Sequence, residues 1–202
     1  MNSLDYALLA KRAYSDAPTI GKPDSASRMH VYGDVHVFRG TDDLAAWLAD
    51  LNCDVIAVEG LGKIHKGFYG ALAAILPECL DLPRPSAVVG HSLGGAMAII
   101  YGAVLAQLGH VVPVYAFEPP RLCADAAMQD LLAVNKVPWF ATRNGLDIVT
   151  QVPPELSLPG PLTKIGTPSF SLDNVTDHGM GRVIEALANV GVNHGQAHQL
   201  TT

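Results

Sequence analysis

The sequence predicts an α/β fold, a mostly parallel sheet with helices on both faces. Three observations carry this reading. In the middle of the chain, short apolar strand-like runs alternate with longer helical segments. Those runs, Ala87–Val89 and Val111–Phe117, lack the polar alternation of a sheet with one wet face. Gly94 to Leu108 is apolar nearly all round, the pattern of a buried helix. With 202 residues, 49% hydrophobic and 16% charged, the chain can bury a full core as one domain spanning 1–202, and it is not a disordered chain.

The elements follow in order. Leu4 to Tyr14 reads as an amphipathic helix, with Leu4, Leu8 and Leu9 on one side. Ser15 to Ser27 holds Pro18, Gly21 and Pro23 and reads as a loop. Met29 to Phe38, rich in Val and aromatics, predicts one or two strands. Leu44, Trp47, Leu48 and Leu51 keep helical spacing in Thr41–Leu51, which Thr41 or Asp42 would cap. Asp54–Val58 is a strand, and Phe68 onwards is helical as far as Pro77. Ala124–Val134 reads as a helix, Val137–Thr142 as a strand, Leu162–Leu172 as one or two strands and Val183–Val190 as a helix.

Several function classes drop out. Thirteen Lys plus Arg against nineteen Asp plus Glu give a net charge of −6, the wrong sign for a nucleic-acid binder. Cys53, Cys79 and Cys123 are odd in number and lack CxxC spacing, so they predict free thiols rather than a disulfide framework or zinc site. The longest stretch without Asp, Glu, Lys or Arg, Ser86–Phe117, is broken by glycines and Pro113 and makes a poor membrane span. No basic region precedes a long apolar run near Met1. The expected location is therefore cytoplasmic, with export by another route left open.

Gly90-His91-Ser92-Leu93-Gly94 fits G-x-S-x-G. A strand enters it and a helix leaves it, the sharp turn that lifts a serine hydroxyl above a sheet. The glycines give the turn backbone room, and the helix start behind Ser92 offers N–H groups to developing negative charge. A nucleophilic serine needs a base and the base needs an acid. The histidines after Ser92 are His110, His178, His194 and His198. The candidate acids are Glu118, Asp125, Asp130, Asp147, Asp173 and Asp177. Asp147 follows a strand through the turn Arg143-Asn144-Gly145, where carboxyl-end active-site groups collect, and Glu118, ending the preceding strand, is its rival. His194 and His198 at i, i+4 read as part of a terminal tail rather than a metal pair.

At this point the motifs resemble a known family. Phe38-Arg39-Gly40-Thr41, Lys63-Ile64-His65-Lys66-Gly67-Phe68, Gly90-His91-Ser92-Leu93-Gly94-Gly95-Ala96, Tyr115-Ala116-Phe117 before Pro120-Arg121, and Asp147-Ile148-Val149 before Val152-Pro153-Pro154 occur in one order. Together they resemble the class 3 lipases of the Rhizomucor type, from about Leu4 to Leu187. The resemblance implies an α/β-hydrolase fold with Ser92 as nucleophile, Asp147 as acid and His178 as base. It implies an oxyanion hole from the N–H groups of Thr41 and Leu93, with the Thr41 hydroxyl as a third donor. It also implies a lid helix at 42–51 carrying Trp47 and Leu48; an ordinary surface helix fits the sequence equally well. His65 reads as structural and His91 as a residue that orients the turn. Glu118 stands where the family usually has glycine.

The expected function is serine-dependent hydrolysis of carboxylic esters, either acylglycerols or short- to medium-chain esters, with no metal or cofactor. The partner is an ester or lipid substrate, including one at a lipid–water interface. Activity should fall on acidification, with a midpoint near roughly pH 6–7, as the base histidine protonates. Phospholipase A1-type and thioesterase activities use the same machinery. A catalytically silent hydrolase-fold binding module and a cutinase-like esterase are the other readings weighed.

Overall fold

Helix α1 (Ser3–Arg12) opens on a reciprocal cap: the Asn2 side chain accepts from the Asp5 N–H (3.0 Å) and the Asp5 carboxylate accepts from the Asn2 N–H (2.8 Å). This and all that follows is read from a computed structural model, which describes residues 1–169 and 176–199. The side chains of Asp50 and of residues 190–199 lie outside the described residues, and with them the His194/His198 pair.

The region expected to be loop contains a two-residue strand, β1 (Ile20–Gly21), and Met29–Phe38 forms two strands, β2 (Arg28–Tyr32) and β3 (Val35–Phe38). They pair as an antiparallel hairpin with Tyr32 opposite Val35. Gly33 at φ +63° supplies the positive φ that a two-residue turn requires. Helix α2 (Leu44–Asp50) starts later than the sequence suggests. Its cap is neither Thr41 nor Asp42 but Asp43, whose carboxylate accepts from the Ala46 N–H at 2.9 Å. Asp42 instead forms ion pairs with Arg28 and Arg39.

Strand β4 (Val55–Val58) forms, but outside the main sheet. The chain turns through Gly60 and Gly62, both at positive φ, and pairs β4 with β5 (Gly62–His65) as a separate antiparallel hairpin. The next helical segment is two helices, α3 (Lys66–Ala73) and α4 (Leu76–Asp81). Pro77 opens α4 rather than ending a helix, since proline lacks only an N–H that the first turn leaves unpaired anyway.

The central alternation is β6 (Ala87–His91), α5 (Leu93–Gln107), β7 (Val114–Phe117), α6 (Ala127–Val134) and β8 (Trp139–Asn144). A 3₁₀ turn (Val149–Gln151), β9 (Thr163–Ile165), a second 3₁₀ turn (Thr176–His178) and α7 (Met180–Gln199) complete the described chain. Of the expected 162–172 strand region, 170–172 lie outside the described residues. The seven-stranded sheet runs β1-β2-β3-β6-β7-β8-β9, with every pair from β3 to β9 parallel.

Strand side chains alternate between faces. Val35, Val37, Ala87, Val89, Tyr115 and Phe117 pack toward α1 and α7. Phe38, Val88, Val114 and Ala116 pack toward α5 and its neighbours. Thirteen of the fifteen residues of α5 are buried, which explains its all-round apolar sequence. Parallel pairing places the carboxyl ends of β3, β6, β7 and β8 along one edge, at Phe38, His91, Phe117 and Asn144. Among the described residues no helix is long and apolar enough to cross a membrane. Cys53, Cys79 and Cys123 are free thiols.

Candidate active site

Ser92 sits between β6 and α5 at φ 58°, ψ −129°, a backbone region that costs a residue with a Cβ on the order of 1–3 kcal/mol. Neighbouring packing over-determines it. The Ser92 N–H donates to the Phe117 carbonyl (3.0 Å), and its carbonyl accepts from Gly95 and Ala96 N–H groups (2.8 and 3.2 Å). The flanking glycines are steric necessities: a Cβ on Gly90 would lie 2.0 Å from the Gly94 carbonyl oxygen, and one on Gly94 2.2 Å from that of Phe38. Leu93 is the first residue of α5, where N–H groups have no intrahelical partner.

Asp147 follows β8 through a turn. The N–H of Val149 donates to its Oδ1 (3.0 Å), and His178 Nδ1–H donates to its Oδ2 (3.0 Å). Asp147 is fully buried and His178 nearly so. Burial alone would raise the Asp147 pKa. The His178 hydrogen bond and charge, the Glu118 hydrogen bond and the Val149 N–H outweigh it and hold the carboxyl below its ordinary value. With Nδ1 engaged as donor, the neutral ring leaves Nε2 as its acceptor. His178 Nε2 and Ser92 Oγ are both buried, and neither makes a hydrogen bond among the described residues.

His91 links the turn to the base. Its Nε2–H donates to the His178 carbonyl (2.9 Å), and because a carbonyl only accepts, this fixes the tautomer. Nδ1 must then accept, and the Tyr14 hydroxyl donates to it at 2.7 Å. The His91 and His178 rings lie 4.6 Å apart. Burial and the neighbouring His178 push the His91 pKa down to about 3, so the ring stays neutral. Tyr14 carries no motif, and the sequence gives no sign of this role.

The other acids divide clearly. Asp177 does not face the His178 ring. Its carboxylate accepts from the N–H groups of Leu146 (3.0 Å) and Ser169 (3.1 Å) and pairs with Arg182 (3.4 Å), clamping the acid and base loops together. Burial raises its pKa, and those N–H groups and Arg182 bring it below the ordinary value. Asp125 accepts from Lys63 and Ala127 N–H groups, and Asp130 lies on α6. Asp173 lies outside the described residues. Glu118 is fully buried at φ +53° on the far side of Asp147; the Asn144 N–H donates to its carboxyl at 2.9 Å and the Thr142 hydroxyl at 3.5 Å. Burial raises its pKa well above the usual range, and the hydrogen bond and charge of Asp147 add to this. His110 lies beyond the end of α5, in a cleft with Leu80 and Arg84.

Ligand-type atoms of Glu118, Asp147 and His178 lie within 4.8 Å of one another. That spacing would suit a cation, but His178 Nδ1 and both Asp147 oxygens are already committed to hydrogen bonds, so the cluster is a proton network.

Thr41 is half-buried at the end of the β3 loop, and its hydroxyl donates to the Asp43 carbonyl at 3.5 Å. That directs it toward the entry of α2, so it is not free in this conformation to act as a third oxyanion donor. Trp47 stacks on Phe68 (ring centroids 6.0 Å apart) and, with Leu51, Leu93, His65 and Ala71, lines a cleft of about 250 Å³. Leu48, half-buried on the same helix, does not line it. His65 caps α3: its Nδ1 accepts from Gly67 and Phe68 N–H groups (3.1 and 3.3 Å), while Nε2–H donates to the Asn52 carbonyl (2.7 Å).

Known proteins share this architecture. Over 157 residues the chain is 29% identical to a lipase of Rhizomucor miehei, covering 70% of this chain and 42% of the relative. It is 32% identical over 117 residues to a chloroplastic phospholipase A1 of Arabidopsis thaliana, covering 50% of this chain and 16% of the relative. The chain thus spans less than half the length of either. The crystal structure of a lipase from Rhizopus microsporus var. chinensis superposes with a TM-score of 0.64 at 22% identity, covering 85% of this chain and 75% of that one, a likeness of α/β-hydrolase fold. The Lipase (class 3) family description matches residues 35–157, from β3 through the Ser92 turn to beyond Asp147. A match over more than half of the chain, on a sheet of the same fold, makes the chain a member of the class 3 lipase family.

Proposed function

We propose that the chain is a serine-dependent carboxylic-ester hydrolase using Ser92, His178 and Asp147. One observation carries the reading: a buried Asp147–His178 hydrogen bond stands beside a strained, glycine-flanked serine turn. His178 Nε2 takes the proton from Ser92 Oγ as Oγ attacks the ester carbonyl, then gives it to the departing alcohol. Asp147 holds the ring in the tautomer that exposes Nε2 and stabilises the cation formed. N–H groups of Thr41 and Leu93 receive the oxyanion, an interaction worth about 10²–10³ in rate per donor. Water then cleaves the acyl-enzyme with His178 again as base.

The cleft between Trp47, Phe68 and Leu93 takes the acyl chain in this reading. At about 250 Å³ it falls below the roughly 300 Å³ at which ligand pockets usually begin, which favours short- to medium-chain esters, including acylglycerols. Residues 42–51 act as its lid, with Trp47 as the side chain that covers the acyl site and a lipid–water interface as the trigger. A phospholipase A1-type activity is the second reading, favoured by the Arabidopsis relative.

The test is an active-site-directed organophosphonate followed by peptide mass spectrometry. One adduct on Ser92, lost in His178→Ala, is the expected result. Ester turnover retained by Ser92→Ala would sink the assignment. A chain-length series of nitrophenyl esters tests the pocket: the expected maximum lies at short or medium chains, and a peak at sixteen carbons refutes it.

A further inference from the structure

Glu118 poses a physical problem. It is a carboxyl group with no solvent exposure, placed beside the carboxyl of Asp147, on a backbone at φ +53° that favours glycine. The two carboxyl groups are hydrogen-bonded to each other. Two carboxylates both accept and neither donates, so this bond exists only if one of them holds a proton.

The surroundings say which one. Asp147 receives the Nδ1–H of His178 and the N–H of Val149, donors that favour its charged form. Glu118 receives a shared N–H from Asn144 and a long bond from the Thr142 hydroxyl. Asp147 is the charge that acts on it, from the loop after β8. His178 lies beyond Asp147, and His91, at the end of β6, is neutral. The proton therefore sits on Glu118, and Asp147 carries the negative charge.

We infer that Glu118 is a positioning residue: its carboxylic acid donates to Asp147 and holds that carboxylate against His178 Nδ1. The inference rests on the ester-hydrolase reading above. A neutral donor at this place draws charge away from the Asp147 oxygens without adding charge to a buried site. An ionised Glu118 would instead put two adjacent negative charges behind the base.

The experiment compares Glu118→Ala and Glu118→Gln in the full chain, using nitrophenyl butyrate hydrolysis across pH and infrared difference spectra at pH 7. Wild type should show the carbonyl stretch of a buried protonated carboxylic acid, missing from Glu118→Gln. Glu118→Ala should lower kcat by about 10–100-fold, as loss of a supporting partner does, with little change in KM. Its acid limb should move up by about half a pH unit, because Asp147 then concentrates more charge beside the base. Glu118→Gln, whose amide still donates, should recover most of the lost kcat and return the acid limb.

Absence of the infrared band in wild type overturns the inference. So does a Glu118→Ala protein with wild-type kcat and acid limb, or equal losses in both variants with no movement of the limb, which would mean packing alone. If Glu118→Ala does not fold, the band and the Gln variant still decide. Failure of Ser92 to react with organophosphonate in wild type would sink the hydrolase reading instead, and the band reports the Glu118 proton independently of it.

Discussion

Tyr14 reaches from the end of α1 to the serine turn, and its hydroxyl satisfies His91 Nδ1, which in turn leaves His91 Nε2–H for the His178 carbonyl. Removing that hydroxyl in Tyr14→Phe leaves a buried ring nitrogen without a donor, a cost of about 1–3 kcal/mol. Urea unfolding at pH 7 should show this loss, and ester turnover should fall several-fold as the base backbone loosens. Wild-type stability and turnover in Tyr14→Phe would remove the role. Asp147→Asn presents an amide where His178 needs an acceptor and favours the wrong tautomer, so kcat should fall by about 10³–10⁴. Asp177→Asn keeps most of the loop clamp and should cost far less. Equal losses in the two would mean that orientation by Asp147 is not special.

At the scale of elements, α2 is short, begins on one carboxylate cap at Asp43, and rests on Phe68 through Trp47. Asp43→Ala should weaken it by about 1 kcal/mol. If α2 covers the acyl cleft, Asp43→Ala and Trp47→Ala should both speed organophosphonate labelling of Ser92 in plain buffer and shrink the gain from detergent. Unaltered labelling in both variants would mean that α2 is a fixed surface helix. The sheet core was legible in the sequence because β6, α5 and β7 are buried on all sides and carry unbroken apolar runs. The Ser92 turn was legible because its glycines are forced by contacts with Phe38 and Gly94 backbone. The β4–β5 hairpin was not, since its strands are largely exposed and their apolar residues point to no core. Tyr14 and Asp177 were missed as partners for another reason: their contacts span 77 and 31 residues of chain, and no local pattern encodes such a separation.

For the whole molecule, pH sets a contest between two kinds of buried group. His30, His36, His65 and His91 are all buried, and burial lowers each below the ordinary value of 6.5. The unfolded chain protonates these rings near 6.5 while the folded chain keeps them neutral, so their contribution is complete above 6.5 and is lost as pH falls. His91, down at about 3, accounts for about 2 kcal/mol of loss between pH 6.5 and 5 at 1.36 kcal/mol per unit. Glu118 works against this. It is raised well above its ordinary 4.5, so the folded state holds a proton that the unfolded chain lacks at pH 7, and acidification relieves that cost with the same slope per group. Asp147 and Asp177 are lowered from 3.8 and titrate below this window. Glu118 therefore cancels about one histidine, and the remaining three decide the sign. The urea midpoint should fall from pH 7 to pH 5. In Glu118→Gln the opposing slope is gone, so that variant should gain relative to wild type at pH 7 and decline more steeply toward pH 5. A midpoint that is flat across this range would show that the buried histidines titrate alike in the folded and unfolded chain, and parallel declines for the two proteins would show that Glu118 does not hold its proton at neutral pH.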